Sequence, residues 1–220
     1  MWQTVFLRIK LFGLCVFLIS CNSGKKPLNL PFYNTAEFNP LFLDSKEEVT
    51  EKVTHIISSF SFVSQNLETI TQKNIEGKIH VANFIFTSCD NICPAMTEEM
   101  ARVAKTFQND SSVVILSYSV TPWIDTPERL KLYKESKGIK KSNWYFLTGN
   151  KSEIYNLARR SYFAEESLGF TKDSTQFLHT EHFLLVDGSS RIRGIYNGTL
   201  QLEAEQLIKD INTLKAERLD

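Results

Sequence analysis

The stretch Lys78 to Met100, KIHVANFIFTSCDNICPAMTEEM, constrains the fold more than any other part of the chain. Ile79 to Phe86 is an apolar run that reads as a buried strand. The run breaks at Thr87-Ser88 and places Cys89 and Cys93 four residues apart, with Pro94 directly after. A helical pattern follows, with Met96, Met100, Val103, Ala104 and Phe107 on one face. Proline suits the first turn of a helix, and Glu98 and Glu99 are expected to complement its dipole. Two thiols therefore meet at a strand-to-helix junction, near the positive end of the helix. That setting stabilises the thiolate, which is both the nucleophile and the soft-metal ligand.

A spacing of four puts both sulfurs on one helical face if the first turn begins near Cys89. The α-carbons are then about 6 Å apart, within disulfide range, and both sulfurs can also approach a single metal ion. The alternative is a pair of buried structural cysteines or a permanent structural disulfide. CxxxC alone is a weak pattern; its place at the junction and the proline behind it strengthen it.

Acidic and basic residues balance at 25 each, so no nucleic-acid footprint is present and no nucleic-acid partner is expected. Hydrophobic content of 42% can build a full core. The four cysteines are Cys15, Cys21, Cys89 and Cys93. The first two belong to an address: Arg8 and Lys10 precede the apolar run Leu11 to Ile19, which has the length of a signal-peptide core. The string Leu18-Ile19-Ser20-Cys21 resembles a bacterial lipobox. Cleavage before Cys21 would discard Cys15 and leave Cys21 acylated; a plain signal or an uncleaved anchor helix is the alternative. The expected location is the bacterial cell envelope, lipid-anchored to the membrane on the extracytoplasmic (periplasmic) side, where a thiol pair can be oxidised. The expected organisation is a signal peptide over 1–20, a tether over 21–30, an N-terminal extension and hairpin over 31–77, and a core over 78–220.

Within the extension, Leu30 to Leu43 reads as an ordered segment packed on the domain, and Phe60 to Val63 with Glu68 to Ile70 as a short hairpin. Glu47 to Ile57 has a weak pattern with no assignment. From Lys78 strand and helix alternate: Val113 to Val120 is a strand covered on both faces, and Thr126-Pro127-Glu128 opens a helix with a capping residue and proline. Trp144 to Leu147 is a strand, Ser152 to Tyr162 a helix, and Phe183 to Val186 pairs with Ile192 to Tyr196 across Asp187-Gly188. The last helix carries Leu200, Ala204, Leu207, Ile208, Ile211 and Leu214. The order β-α-β-α-β-α-β-β-α predicts an α/β fold with a mixed central sheet and extra N-terminal and C-terminal hairpins. A dithiol at the first strand-to-helix junction is the thioredoxin-like arrangement.

Of the four histidines, His55 and His80 suit structural roles, whereas His179 and His182 stand just before the strand Phe183 to Val186. In a thioredoxin-like sheet the loop entering that strand lies beside the cysteine junction. One imidazole and two thiolates make a soft three-ligand site suited to Cu(I); zinc would ask for a fourth ligand, for which His182 and Asp90 are the candidates. The chain has no proline after Pro127, so the cis-proline that faces the thiols of thioredoxin-like oxidoreductases has no counterpart. No proline precedes Cys89 in the pattern of a peroxidatic cysteine either. Both absences shift weight from catalysis to metal binding.

These residues resemble the Sco/SenC copper proteins of cytochrome c oxidase assembly. The likeness runs from about Phe60 to the C-terminus. It is carried by Phe84-Ile85-Phe86-Thr87-Ser88-Cys89 through Cys93-Pro94, by Asp125-Thr126-Pro127, and by His179 ahead of Phe183-Leu184-Leu185-Val186-Asp187. The resemblance implies a thioredoxin-like fold, membrane tethering, and copper bound by Cys89, Cys93 and His179, with His182 out of register. Two departures stand out: Asp90 where the family often has proline, and Thr121-Pro122-Trp123-Ile124 in place of an Asp-Pro-Glu-Arg-like run.

Two function classes follow. The first is a copper metallochaperone delivering to the dinuclear copper site of the copper-bearing subunit of cytochrome c oxidase, with the Cys89–Cys93 pair alternating between a copper-loaded form and a disulfide. The second is a membrane-tethered thiol-disulfide reductase acting on a partner's cysteine pair. Either would draw on a thioredoxin-like reductant. A copper-responsive sensor or scaffold is a blander third.

Overall fold

The computed structural model describes residues 29–140, 143–164 and 180–217. The expected signal peptide, Cys21 and nearly all of the tether, and also His179, lie outside the described residues.

The N-terminal extension begins with a bridge between Phe32 and Leu41 and a second between Tyr33 and Ile192. Helix α1 (Lys46–Lys52) follows, capped by the Ser45 hydroxyl, which accepts from the Glu48 N–H. Its Val49, with Val53 just beyond, packs on Phe32 and Leu43 in a small cluster of its own. This is the segment whose apolar pattern was too sparse to assign. The expected hairpin is β1 (Ser61–Ser64) with β2 (Thr69–Thr71), paired with Phe62 opposite Ile70. A single turn, α2 (Gln72–Ile75), leads to the core.

In the core, β3 (Ile79–Ile85), α3 (Ile92–Thr106), β4 (Val113–Ser119), α4 (Pro127–Ser136), β5 (Trp144–Thr148) and α5 (Lys151–Asn156) alternate. The closing hairpin β6 (His182–Val186) and β7 (Ile192–Asn197) and the last helix α6 (Gln201–Ala216) complete the fold. Among the described residues the strands form one sheet in the order β2-β1-β5-β4-β3-β6-β7. β3, β4 and β5 run parallel, and β6 is antiparallel to β3 with Ala82 opposite Leu184. The mixed sheet, the helices on its faces and the junction at the end of β3 are the thioredoxin-like arrangement expected.

Alternation along β3 sorts the core into two layers. Val81 and Ile85 meet Met96, Met100 and Val103 of α3 and Ala204, Leu207 and Ile211 of α6 on one face. Ala82 and Phe84 meet Tyr118, Tyr155, Tyr162 and Leu184 on the other. His80 belongs to the second layer, bonded to the Tyr162 hydroxyl at 3.0 Å, and Tyr162 meets Tyr118 at 3.2 Å. Burial drives the His80 pKa down to about 3, so the ring is neutral and structural.

One expected element is altered. The helix over Ser152 to Tyr162 ends as α-helix at Asn156 and continues as a π turn, Leu157–Ser161. Its wider hydrogen bond, Tyr162 N–H to Leu157 C=O, swings Tyr162 fully into the core onto His80 and Tyr118.

Candidate functional site

The thiol site is built where β3 stops. A tight turn, with the Cys89 N–H on the Phe86 C=O at 3.3 Å, turns the chain out of the sheet. Helix α3 begins only at Ile92, so Cys89 precedes the helix rather than opening it, and Cys93 lies in its first turn. The expectation that Glu98 and Glu99 serve the dipole is not met, because the first turn holds no acidic residue. Asn91, the residue at the cap position, makes no side-chain cap bond. The Cys89 sulfur takes that place. Its partial burial alone would raise the pKa, but hydrogen bonds from the backbone N–H groups of Cys93, Asn91 and Ile92, together with the Cys93 thiol, carry it below its ordinary value. The sulfur does what an aspartate or serine oxygen does at other helix starts.

Cys93 is the opposite case. Its side chain is buried, and burial pushes its pKa up to about 12, with the neighbouring Cys89 and Asp125 adding to the shift and the Phe86 backbone opposing it. Both cysteines are free thiols, and each shifts the other's pKa, the Cys93 thiol lowering that of Cys89 and Cys89 raising that of Cys93. One sulfur is thus accessible and favours the thiolate, while the other is covered and holds its proton.

A polar network behind the turn fixes the loop that carries Cys89. Asp125 is 0% exposed. Its carboxylate accepts from the hydroxyls of Thr87 (2.5 Å), Ser119 (2.6 Å) and Thr121 (2.9 Å), and from the Thr87 N–H at 3.3 Å. Arg129 closes the network from outside: Nε donates to the Thr87 hydroxyl at 2.7 Å and the terminal nitrogen to the Ser88 hydroxyl at 2.8 Å. Thr126 caps α4 with Pro127 in its first turn, as expected, which sets Arg129 one turn in and facing the thiol loop. On the helix side, the Thr97 hydroxyl donates to the Cys93 C=O at 2.7 Å and meets the Tyr133 hydroxyl at 2.8 Å.

Of the sequence-derived site residues, Cys89 and Cys93 come together. His182 opens β6 at the end of the sheet where β3 delivers the thiols, its N–H bonded to the Thr180 hydroxyl at 3.2 Å. Asp90 follows Cys89 in the exposed loop. Among the described residues no three His, Cys, Asp or Glu side chains converge to hold a metal. Asp125 and Arg129 are the residues that sequence reasoning passed over as site components. Asp125 was noted only as part of a motif, yet a carboxylate preceded by Ser119 and Thr121 and followed by a helix start is a signal for a buried acceptor with hydroxyl donors.

The family profile described as SCO1/SenC matches residues 48–216. Among solved structures, a SCO1/SenC family lipoprotein from Bacillus anthracis str. Ames is 30% identical and superposes with a TM-score of 0.64 over 75% of this chain and 97% of its own. BsSco, described through its disulfide switch as a member of the Sco family of cytochrome c oxidase assembly proteins, is 29% identical, with a TM-score of 0.63 over 74% and 95%. Bradyrhizobium japonicum ScoI with copper bound is 26% identical, with a TM-score of 0.57 over 72% and 99%.

Proposed function

The chain belongs to the SCO1/SenC family, and from that premise we propose that it carries copper as cargo on Cys89, Cys93 and His179. It delivers the ion to the dinuclear copper site of cytochrome c oxidase. The observation that carries this reading is the pair of free thiols that the turn after β3 and the first turn of α3 bring together. Two soft sulfur donors side by side can hold one soft ion, and thiolates select Cu(I) over harder metals. Cys89 is prepared for ligation; Cys93 must give up a proton it holds tightly, so loading releases protons and strengthens with pH. The relative with copper bound supports the cargo, and the relative described as an oxidase assembly protein supports the acceptor. The lipoprotein among the relatives supports acylation at Cys21 and an envelope location, with 1–20 removed and 21–30 as the tether.

The asymmetry of the thiols favours a second reading, a thiol-disulfide reductase. The Cys89 thiolate would attack a partner disulfide and release one partner thiolate. The Cys93 sulfur, giving up its proton, would then attack Cys89 and release the second. Two electrons pass to the partner and this pair is oxidised to a disulfide. A thioredoxin-like reductant would restore the dithiol.

One experiment separates the two. Reduced protein should take up stoichiometric Cu(I), and Cys89→Ser and Cys93→Ser should abolish tight binding. His179→Ala should weaken binding while His182→Ala leaves it intact. The copper-loaded protein is then mixed with the reduced copper domain of the oxidase subunit, and the copper-free dithiol with the oxidised domain. Reduction of the partner without copper transfer would overturn the chaperone reading.

A further inference from the structure

The two cysteines are held in place by different means. Cys93 lies inside α3, is buried, and has its C=O bonded by the Thr97 hydroxyl. Cys89 belongs to residues 86–91, a stretch outside both the sheet and the helix, between the end of β3 at Ile85 and the start of α3 at Ile92. The turn bond from the Cys89 N–H to the Phe86 C=O is long, at 3.3 Å, and Asn91 makes no side-chain cap bond. The position of Cys89 therefore depends on side chains that reach the stretch from elsewhere in the fold.

Arg129 reaches it with two donors at once. Nε donates to the Thr87 hydroxyl at 2.7 Å and the terminal nitrogen to the Ser88 hydroxyl at 2.8 Å. The Thr87 hydroxyl gives its own hydrogen to Asp125, so it accepts from the guanidinium and is fixed from both sides. Among the described residues, Arg129 is the side chain that bonds the Ser88 hydroxyl. The same Nε stands 3.6 Å from the Asp125 carboxylate, so the guanidinium is aimed at the two hydroxyls more closely than at the charge. Its donors keep a fixed planar spacing, and two bonds to consecutive residues set the direction of the backbone between them. Ser88 adjoins Cys89, so that direction decides where the Cys89 sulfur stands relative to Cys93.

We propose that Arg129 is a positioning residue of the thiol pair: through Ser88 it holds Cys89 where both sulfurs can reach one atom. That this atom is copper rests on the function proposed above. Side chains that orient a metal's ligands without touching the metal commonly change its affinity by about 10- to 100-fold when removed. Arg129 is half exposed, which places it at the low end of that range. The role belongs to the fork of donors rather than to the charge. Lysine keeps the charge but carries it as a compact ammonium on a flexible stem, with no fixed pair of donors.

The test measures the affinity of the reduced protein for two probes that both sulfurs must share: Cu(I), in competition with a chromophoric chelator, and phenylarsine oxide. The arsenical forms two As–S bonds with a dithiol; the two thiol protons leave with its oxygen as water, and no electrons are transferred. Arg129→Ala should weaken both about 10-fold, and Arg129→Lys should remain several-fold weaker than the unsubstituted protein. Ser88→Ala should reproduce most of the loss and add nothing to Arg129→Ala, because the two residues act as one contact. Full recovery in Arg129→Lys would assign the effect to charge and overturn the proposal. Additive losses in the double variant, or arsenical binding indifferent to Arg129→Ala, would overturn it as well. If the unsubstituted protein takes up no Cu(I) while its arsenical binding still depends on Arg129 and Ser88, the copper reading fails and the positioning role is upheld. Capture of neither probe by the unsubstituted protein would overturn both.

Discussion

Among the described residues, the most deeply buried charges stand at opposite ends of the sheet, and the two are treated differently. At the end away from the thiols, Arg193 is 2% exposed and fully matched. Its guanidinium donates to both oxygens of Glu217 at 2.6 Å, to Asp187 at 3.4 Å, and to the Leu30 and Pro31 carbonyls, and it stacks 3.8 Å from the Phe32 ring centre. At the thiol end Asp125 is held by three hydroxyls and one N–H, and its cation, Arg129, stands 3.6 Å away and 48% exposed. The first arrangement cancels charge with charge and ties the N-terminal extension and the C-terminus to β7. The second solvates a negative charge with dipoles and leaves its field acting on Cys93. A buried charge matched by charge within the core serves the fold; one held mainly by dipoles, with its cation at the surface, can serve chemistry.

The sharpest way to break this comparison is at the clamp. Arg193→Met strands the Glu217 carboxylate, which is 5% exposed, and should cost about 3–5 kcal/mol. A fall in denaturant midpoint at unchanged slope measures it. The alkylation rate of Cys89 should stay the same; if it moves with stability, the two ends are not independent. A smaller effect is expected at the thiol end. Asp125→Asn removes the charge and reverses one hydrogen-bonding partner, and should cost about 1–3 kcal/mol. Unlike the clamp variant it should also make Cys93 easier to deprotonate. A stability loss equal to that of Arg193→Met with Cys93 unmoved would mean that Asp125 is a second clamp.

The two ends also differ in how far they can be read from the sequence. The thiol end is largely legible, because its signals are local: the apolar run into Thr87-Ser88, the CxxxC spacing, and the Met96, Met100, Val103 stripe all lie within one stretch. What escapes there depends on coordinates that periodicity does not carry. The helix starts three residues later than the spacing argument assumed, so the Cys89 sulfur caps it from outside, and Asp125 reaches Thr87 across 38 residues. The clamp end was not legible at all. Arg193 sits in a strand whose apolar neighbours mark it simply as a hairpin partner, and its ligands come from residues 30, 31, 187 and 217, which no local window brings together. The π turn was equally hidden, since one extra residue in a helical turn leaves the apolar spacing of Ile154, Tyr155, Leu157 and Ala158 intact.

The central claim is that the two sulfurs are unlike: Cys89 an accessible thiol whose pKa the helix start holds below its ordinary value, Cys93 a covered thiol whose proton is retained by burial and by the nearby Asp125 charge. Alkylation resolved at each cysteine by mass spectrometry, followed across pH in the reduced copper-free protein, tests this most directly, because only the thiolate reacts. Cys89 should react with a midpoint below the ordinary thiol value of 9.0, and Cys93 should stay silent until the pH approaches about 12. In Asp125→Asn the Cys93 midpoint should fall while that of Cys89 holds. Two thiols titrating together near 9.0, or Cys93 reacting first, would contradict the account.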